Sequence, residues 1–409
     1  MRRIRKLLEH RCPGLGAAQY SLHGKYLGQW LGPDASDELN WRDPCREFAR
    51  RGAHTRATGL SLAHSVAVYN CYDFPVLSFI AQSRDIPSLV WKTERSVVGR
   101  LTRSPHNAVT HEVLLQTHSL FRFPRIQDLR CVGIAAKARA WQQSEVRDIV
   151  MTVISCAMER KHDRHFAHFC HRFPQWRQCL QATQQLEAWY IVHTIGAAPV
   201  APCLGTDRDR KLQRRLYDAC VNHALASTKC KFRRIPRIEH ILADRRKGWD
   251  LDVPREWFTT TVQHLTRLGK MGFSVVPTCV LRTLCNGWHT QSRIAQSISP
   301  CVFGCVGCVD RLEHYLHCPV VSRVVSAPLG LVDTSVESRL LLSPLASDHL
   351  VLAVGMWHAL AYFLFSHMQR CGGFLPEEVM RKVLAARIRV IARKSQNWRG
   401  FLRFVRFHR

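Results

Sequence analysis

Short apolar runs broken by glycine open the chain, and Tyr26-Leu27-Gly28 followed by Trp30-Leu31-Gly32 predicts a small β-hairpin within residues 1–33. From Pro44 to about Ala140 the spacing turns helical. Leu60, Ala63 and Ala67 form one apolar stripe there, and Val76, Leu77, Phe79 and Ile80 form another. Between about Glu145 and Cys230 the helical period returns, with Leu212, Leu216, Ala219 and Cys220 on one face and Arg210, Lys211, Arg214 and Arg215 beside it. The stretch Lys229–Arg237 interleaves charge with apolar residues, and Arg245-Arg246-Lys247 before Gly248 marks an exposed connection. The longest apolar run, Leu350 to Phe365, contains His358 and falls short of the roughly 20 residues that cross a bilayer, so a buried helix is expected. At the end, Trp398, Phe401, Leu402 and Val405 line one helical stripe while Arg399, Arg403 and Arg406 line a neighbouring one. No internal repeat or low-complexity segment interrupts this pattern.

Charge changes the picture more than size does. The 59 Lys and Arg exceed the 31 Asp and Glu, for a net charge of +28 over 409 residues that are 46% hydrophobic. A chain of this length and apolar content buries cores, and the cationic excess points to a polyanionic partner, because phosphate backbones release counterions when lysine and arginine bind them. Nucleic acid, RNA or DNA, is the expected partner, ahead of an anionic membrane surface. The 17 cysteines, odd in number and irregularly spaced, read as reduced thiols rather than a secreted disulfide framework. Met1-Arg-Arg-Ile-Arg-Lys6 precedes only Leu7 and Leu8 before Glu9, too short an apolar run for a signal peptide, so an intracellular, nuclear or cytoplasmic location is expected.

The most specific motif runs from Cys301 to Pro319. Taking Cys301, Cys305, His314 and Cys318 as ligands gives Cys-x3-Cys-x8-His-x3-Cys, with Cys308 an alternative to Cys305 and His317 an alternative to His314. Three thiolates and an imidazole suit a closed, tetrahedral, structural zinc site with no position open for catalysis. A second group holds Cys156, His162, His165, His168, Cys170 and His171; its four histidines step every third residue and do not converge on one ion if helical. Nucleotidyl transfer needs paired carboxylates for two metal ions, and no Asp-Asp pair occurs; Asp207 with Asp209 and Asp250 with Asp252 have the spacing of turns and helix starts. No nucleophile elbow, phosphate loop, dinucleotide turn or His-Glu-x-x-His is present, so no enzyme is indicated.

The segment His23-Gly24-Lys25-Tyr26-Leu27-Gly28-Gln29-Trp30-Leu31-Gly32-Pro33, with Trp41 and Phe48-Ala49-Arg50-Arg51 after it, resembles the stretch that follows the active site in LINE-type, non-LTR retrotransposon reverse transcriptases. Gly59 through Tyr69-Asn70 to Val76–Gln82 is similar to their helical thumb, and Gly287-Trp288-His289-Thr290 with Glu313-His314-Tyr315-Leu316 and Cys318-Pro319 is similar to their C-terminal Cys-Cys-His-Cys finger. The resemblance implies a palm-edge hairpin carrying Lys25, Tyr26 and Gly28, with Arg50 and Arg51 on the duplex side. In that family the catalytic palm and its Asp-Asp pair precede this hairpin, whereas 24 residues precede Lys25 here. The expectation is therefore a non-catalytic nucleic-acid-binding remnant. The alternative is part of an active RNA-directed DNA polymerase whose palm lies on an upstream segment or a separate chain, and a third reading is a zinc-stabilised interaction scaffold.

The expected fold is mainly α, with the hairpin in 1–33, a thumb-like helical region in 34–140, a basic helical connector in 141–285, a zinc knuckle in 286–325 and a basic helical region in 326–409. Expected nucleic-acid contacts are Lys25, Tyr26, Arg50, Arg51, Arg233, Arg234, Arg399, Arg403 and Arg406.

Overall fold

The computed structural model describes residues 24–26, 29–31, 35–141, 207–226, 235–246, 254–271 and 275–393, apart from 83, 106–107, 122, 255, 295–297, 346 and 373. Among these the chain is mainly helical. Strands β1 (Gly24–Tyr26) and β2 (Gln29–Leu31) are followed by helices α1 (Asp37–Ala57), α2 (Leu62–Val68), α3 (Pro75–Ala81), α4 (Ser88–Leu101), α5 (His111–Leu120) and α6 (Leu129–Trp141). Then come α7 (Asp207–Ala226), α8 (Ile238–Arg246), α9 (Trp257–Lys270), α10 (Val275–Leu284), α11 (Leu312–His317), α12 (Asp348–Cys371) and α13 (Glu377–Arg393), with short helical turns between them. Two compact units interleave along the chain: residues 1–53, 70–94 and 127–234 make one, and 54–69, 95–126 and 235–409 the other. The five consecutive blocks expected from the sequence therefore do not coincide with the compact units, because packing joins helices that are distant in sequence.

In the first unit the strands form the expected antiparallel hairpin, with Lys25 opposite Trp30 and Tyr26 opposite Gln29. The Asn40 side chain holds it to α1, accepting from Trp30 N (2.7 Å) and donating to Trp30 O (3.1 Å). The Arg84 guanidinium donates to the same carbonyl at 2.9 Å. The amphipathic reading of α7 holds where it is described. Leu216, Tyr217, Cys220 and Val221 pack with Cys131, Ile134 and Ala135 of α6, while Arg214 and Arg215 are exposed. The stripe expected around α2, which belongs to the second unit, is displaced. Ser61 caps this helix, its hydroxyl accepting from His64 N, so Leu60 lies before the helix and the buried positions are Ser65 and Val66 instead of Ala63 and Ala67. On α3, Leu77 and Ile80 are buried as expected, but Phe79 is 47% exposed.

The second unit is built on α12. Among the described residues this is the one helix long and apolar enough to cross a membrane, and most of it is buried within its unit, against α9 and α10. Ser347 caps its start and Gly372, left-handed at φ 65°, ends it. Its one central polar residue, His358, is fully buried, and Nε2 lies 2.7 Å from the Arg339 carbonyl. Gln116 of α5 closes another internal gap, donating to Pro236 O at 3.0 Å and accepting from Ile238 N at 2.9 Å.

Candidate metal centre

Helix α10 ends in a tight reversal: Asn286 is left-handed (φ 52°), and Gly287 N donates to Arg282 O at 2.7 Å. A Cβ on Gly287 would stand 2.7 Å from the Arg282 Cγ and 2.9 Å from its carbonyl, so only glycine lets the chain fold back this closely. The reversal drops Trp288 into the core. Its ring stacks on Tyr315 (5.7 Å, 23°) and meets Phe365 at 5.0 Å and Tyr362 at 5.5 Å, and its N–H donates to Thr283 Oγ1 at 3.0 Å. Phe303 closes the layer edge-on to Tyr315 at 5.4 Å.

On this aromatic floor sits the loop from Cys301 to Cys308. Pro300 pairs with Val309, Cys301 N donates to Cys308 O at 2.8 Å, and Gly304 N donates to Cys301 O at 3.0 Å. Gly304 and Gly307 are left-handed, at φ 79° and 70°, which turns the loop twice within four residues. Asp310 then staples the loop's far end. Its carboxylate accepts from Gln291 N at 2.8 Å and from the Tyr315 hydroxyl, and its carbonyl accepts from Ser292 Oγ at 2.9 Å. Burial raises the pKa of both Asp310 and Tyr315, so the phenol keeps its proton and donates.

Helix α11 supplies His314, and Cys318 follows its last residue. The sulfurs of Cys301, Cys305 and Cys318 and a ring nitrogen of His314 all lie within 4.8 Å of one another, with Cys305 Sγ 3.4 Å from Cys318 Sγ. A tetrahedral ion held at ordinary thiolate and imidazole distances needs donors about 3.5–3.8 Å apart, so the cluster is preformed to the scale of one metal ion. Two further features fit a cation. His314 Nε2 is buried with no hydrogen-bond partner, and Phe303 N donates to Cys301 Sγ at 3.4 Å, as a peptide N–H does toward a thiolate. The hydrogen bond from Cys318 holds Cys301 down to about 5, whereas Cys318 is pushed up by its bond with Cys301, and Cys305 is pushed up by burial. Crowded thiols resist ionising together, and a bound cation removes that resistance.

The alternatives in the sequence resolve here. Cys308 serves through its carbonyl and lies outside the cluster, and His317 is exposed on α11 and does not join it. A participant that sequence reasoning missed is Arg339. Buried, it donates to Leu316 O at 2.9 Å, so capping the end of the ligand helix, and to Leu331 O (3.1 Å) and Val332 O (3.0 Å). Each buried carbonyl left without a donor costs about 1–3 kcal/mol, so Arg339→Ala is expected to lose about 3 kcal/mol or more in urea unfolding. A loss within experimental error would mean that the three carbonyls find other donors.

Four of the nine expected nucleic-acid residues lie among the described ones. Lys25 is exposed, its ammonium 5.9 Å from the Trp30 ring centroid, and Tyr26 lies in β1. Arg50 and Arg51 share one carboxylate. Arg50 meets Glu47 through two bonds, at 2.7 and 2.8 Å, while Arg51 meets it at 2.8 Å, donates to Tyr72 O at 2.8 Å and lies 4.5 Å over the Tyr72 ring. That sharing cancels one of their two charges and makes them weaker phosphate ligands than the sequence suggested. Arg233, Arg234, Arg399, Arg403 and Arg406 lie outside the described residues, as do the histidines between His162 and His171. No family model, curated protein or solved structure matches the chain.

Proposed function

We propose that the chain is a non-catalytic nucleic-acid-binding protein, related to the C-terminal part of LINE-type reverse transcriptases, in which Cys301, Cys305, His314 and Cys318 hold one structural zinc ion. The observation that carries this reading is the convergence of those four ligands on an aromatic floor built from Trp288 and Tyr315, the residues on which the resemblance itself rests. Zinc suits the donor set, because three soft thiolates and one imidazole favour it over the oxygen-seeking divalent ions, and four protein donors leave no site for a reacting water. The +28 charge supports a nucleic acid as partner. The absence of an Asp-Asp pair supports binding without nucleotidyl transfer.

The test is a titration of the full chain against labelled RNA and DNA, duplex and single-stranded, across a salt series. The expected result is tight binding at low salt with log affinity falling linearly against log salt, by about 0.9 per phosphate contact on duplex DNA. No binding to any of the four probes at low salt would overturn the reading, as would template-dependent primer extension by the purified chain.

A further inference from the structure

The reversal that carries Trp288 inward also sets several cations around the same turn. Arg282, on α10, reaches across to the end of α4. Its Nη2 donates to Thr102 O at 2.8 Å and its Nε to Ser104 Oγ at 3.2 Å, with the guanidinium 4.7 Å over the Tyr362 ring. Between Thr102 and Ser104 stands Arg103, held left-handed at φ 48°, and its guanidinium donates to Arg56 O at 2.6 Å. Arg56, in the last turn of α1, keeps its own side chain exposed. His289 sits one residue past Trp288, and Arg293 in the helical turn that Asp310 anchors. All five belong to the same compact unit.

Cationic neighbours dominate the electrostatics of the cluster. The His289 pKa is lowered by burial and then by the charges of Arg282, Arg293 and Arg56, and Arg293 is lowered by burial and by Arg245, against a smaller upward pull from Cys285 and Glu313. Among the described residues, Arg56, Arg103 and Arg282 make no ion pair with a carboxylate, in contrast to Arg50 and Arg51. Guanidinium groups brought to one turn repel one another until an anion joins them, and planar guanidinium forks match the paired oxygens of phosphate.

We infer that Arg56, Arg103, Arg282, His289 and Arg293 form a phosphodiester-binding site for nucleic acid, set beside the metal knuckle by the Gly287 reversal. The inference rests on the nucleic-acid reading above and gives it a place on the molecule. Arg282 and Arg103 are fixed by bonds to backbone and act as a preset floor, while Arg56 and Arg293 supply the adjustable contacts. The knuckle is then a support that holds Arg293, through Asp310 and the 291–294 turn, against the site.

The test uses the full, zinc-replete chain and a fluorescent DNA duplex, with phosphatidylserine vesicles as a second probe. Arg56→Gln together with Arg293→Gln is expected to flatten the slope of log affinity against log salt by about 1.8, two contacts at about 0.9 each, with zinc content and helicity unchanged. Arg56→Lys with Arg293→Lys, which keeps the charges, is expected to restore most of the slope. Should the double Gln variant fold poorly, Arg56→Glu alone serves, because Arg103 bonds the Arg56 carbonyl and not its side chain. It is expected to weaken duplex binding about tenfold at moderate salt. A wild-type slope in these variants, with the wild-type chain binding normally, overturns the site and leaves the nucleic-acid reading intact. Failure of the wild-type chain to bind the duplex overturns both, and variant-sensitive binding to the vesicles but not to the duplex assigns the cluster to a membrane surface and likewise overturns the site.

Discussion

Removing one thiolate from the Cys301–Cys318 cluster is expected to unfold the knuckle and weaken the whole second unit. The loop between Cys301 and Cys308 has few internal bonds of its own: Cys301 N to Cys308 O, Gly304 N to Cys301 O, Phe303 N to Cys301 Sγ and the flanking Pro300–Val309 pairing. These alone do not offset the backbone entropy of fixing so short a loop, at about 1–2 kcal/mol per residue. A structural zinc site supplies roughly 10–16 kcal/mol in small peptides at neutral pH, and Cys301→Ser is expected to forfeit several kcal/mol of it. The ion should be present at one equivalent in freshly purified, reduced protein, be released by strong chelators, and be lost in Cys301→Ser and His314→Ala. Cys308→Ser and His317→Ala should retain it, since neither side chain joins the cluster. Lowering the pH should also release the metal, because protons compete for the thiolates and the folding energy of the ion is lost with it. Metal well below one equivalent in the wild-type protein, or full retention in Cys301→Ser, would remove the site.

The Cys301, Cys305, His314 and Cys318 cluster was legible in the sequence because its members are close in sequence and each residue type has a restricted chemistry. The choice between Cys305 and Cys308, and between His314 and His317, was not. It depends on the left-handed turns at Gly304 and Gly307 and on which way α11 faces once Leu312, Tyr315 and Leu316 are buried. The amphipathic character of α7 was legible from its period, and the hairpin from its glycine-punctuated runs. The face of α2 was not, because the Ser61 cap sets where that helix begins. Arg339 left no sequence signal at all: its partners are main-chain carbonyls, one of them 23 residues away. The arginine cluster was hidden for a similar reason. Arg56, Arg103 and Arg282 come from three separate stretches of chain, and only the fold sets Arg282 against the turn at Thr102. Counting charge names no residues, whereas packing decides which charges stand together.

Trp288→Ala is expected to produce the largest loss of any single aromatic substitution near the metal centre. Trp288 is fully buried, with Tyr315, Phe365 and Tyr362 around its ring, and its N–H satisfies Thr283 Oγ1. Truncating a buried tryptophan to alanine costs about 3–5 kcal/mol through lost burial and the cavity left behind. The loss should not be confined to the core. Tyr315 lies on the ligand helix next to His314, and its hydroxyl donates to Asp310, the residue that anchors the far end of the metal loop. A Tyr315 ring freed from its stacking partner therefore loosens His314 and the loop together, and metal affinity should fall along with stability. Trp288→Phe keeps the apolar layer but loses the indole N–H, so its cost should be smaller, on the order of 1–2 kcal/mol. The discriminating measurement is a double-mutant cycle with Cys301→Ser, read by denaturant unfolding. If the aromatic floor and the metal loop fold as one structure, Trp288→Ala should cost markedly less in the Cys301→Ser background, where the loop has already lost its ion. Strict additivity of the two substitutions would show instead that the floor stands without the metal, and the knuckle would then be an appendage on a core that is stable by itself.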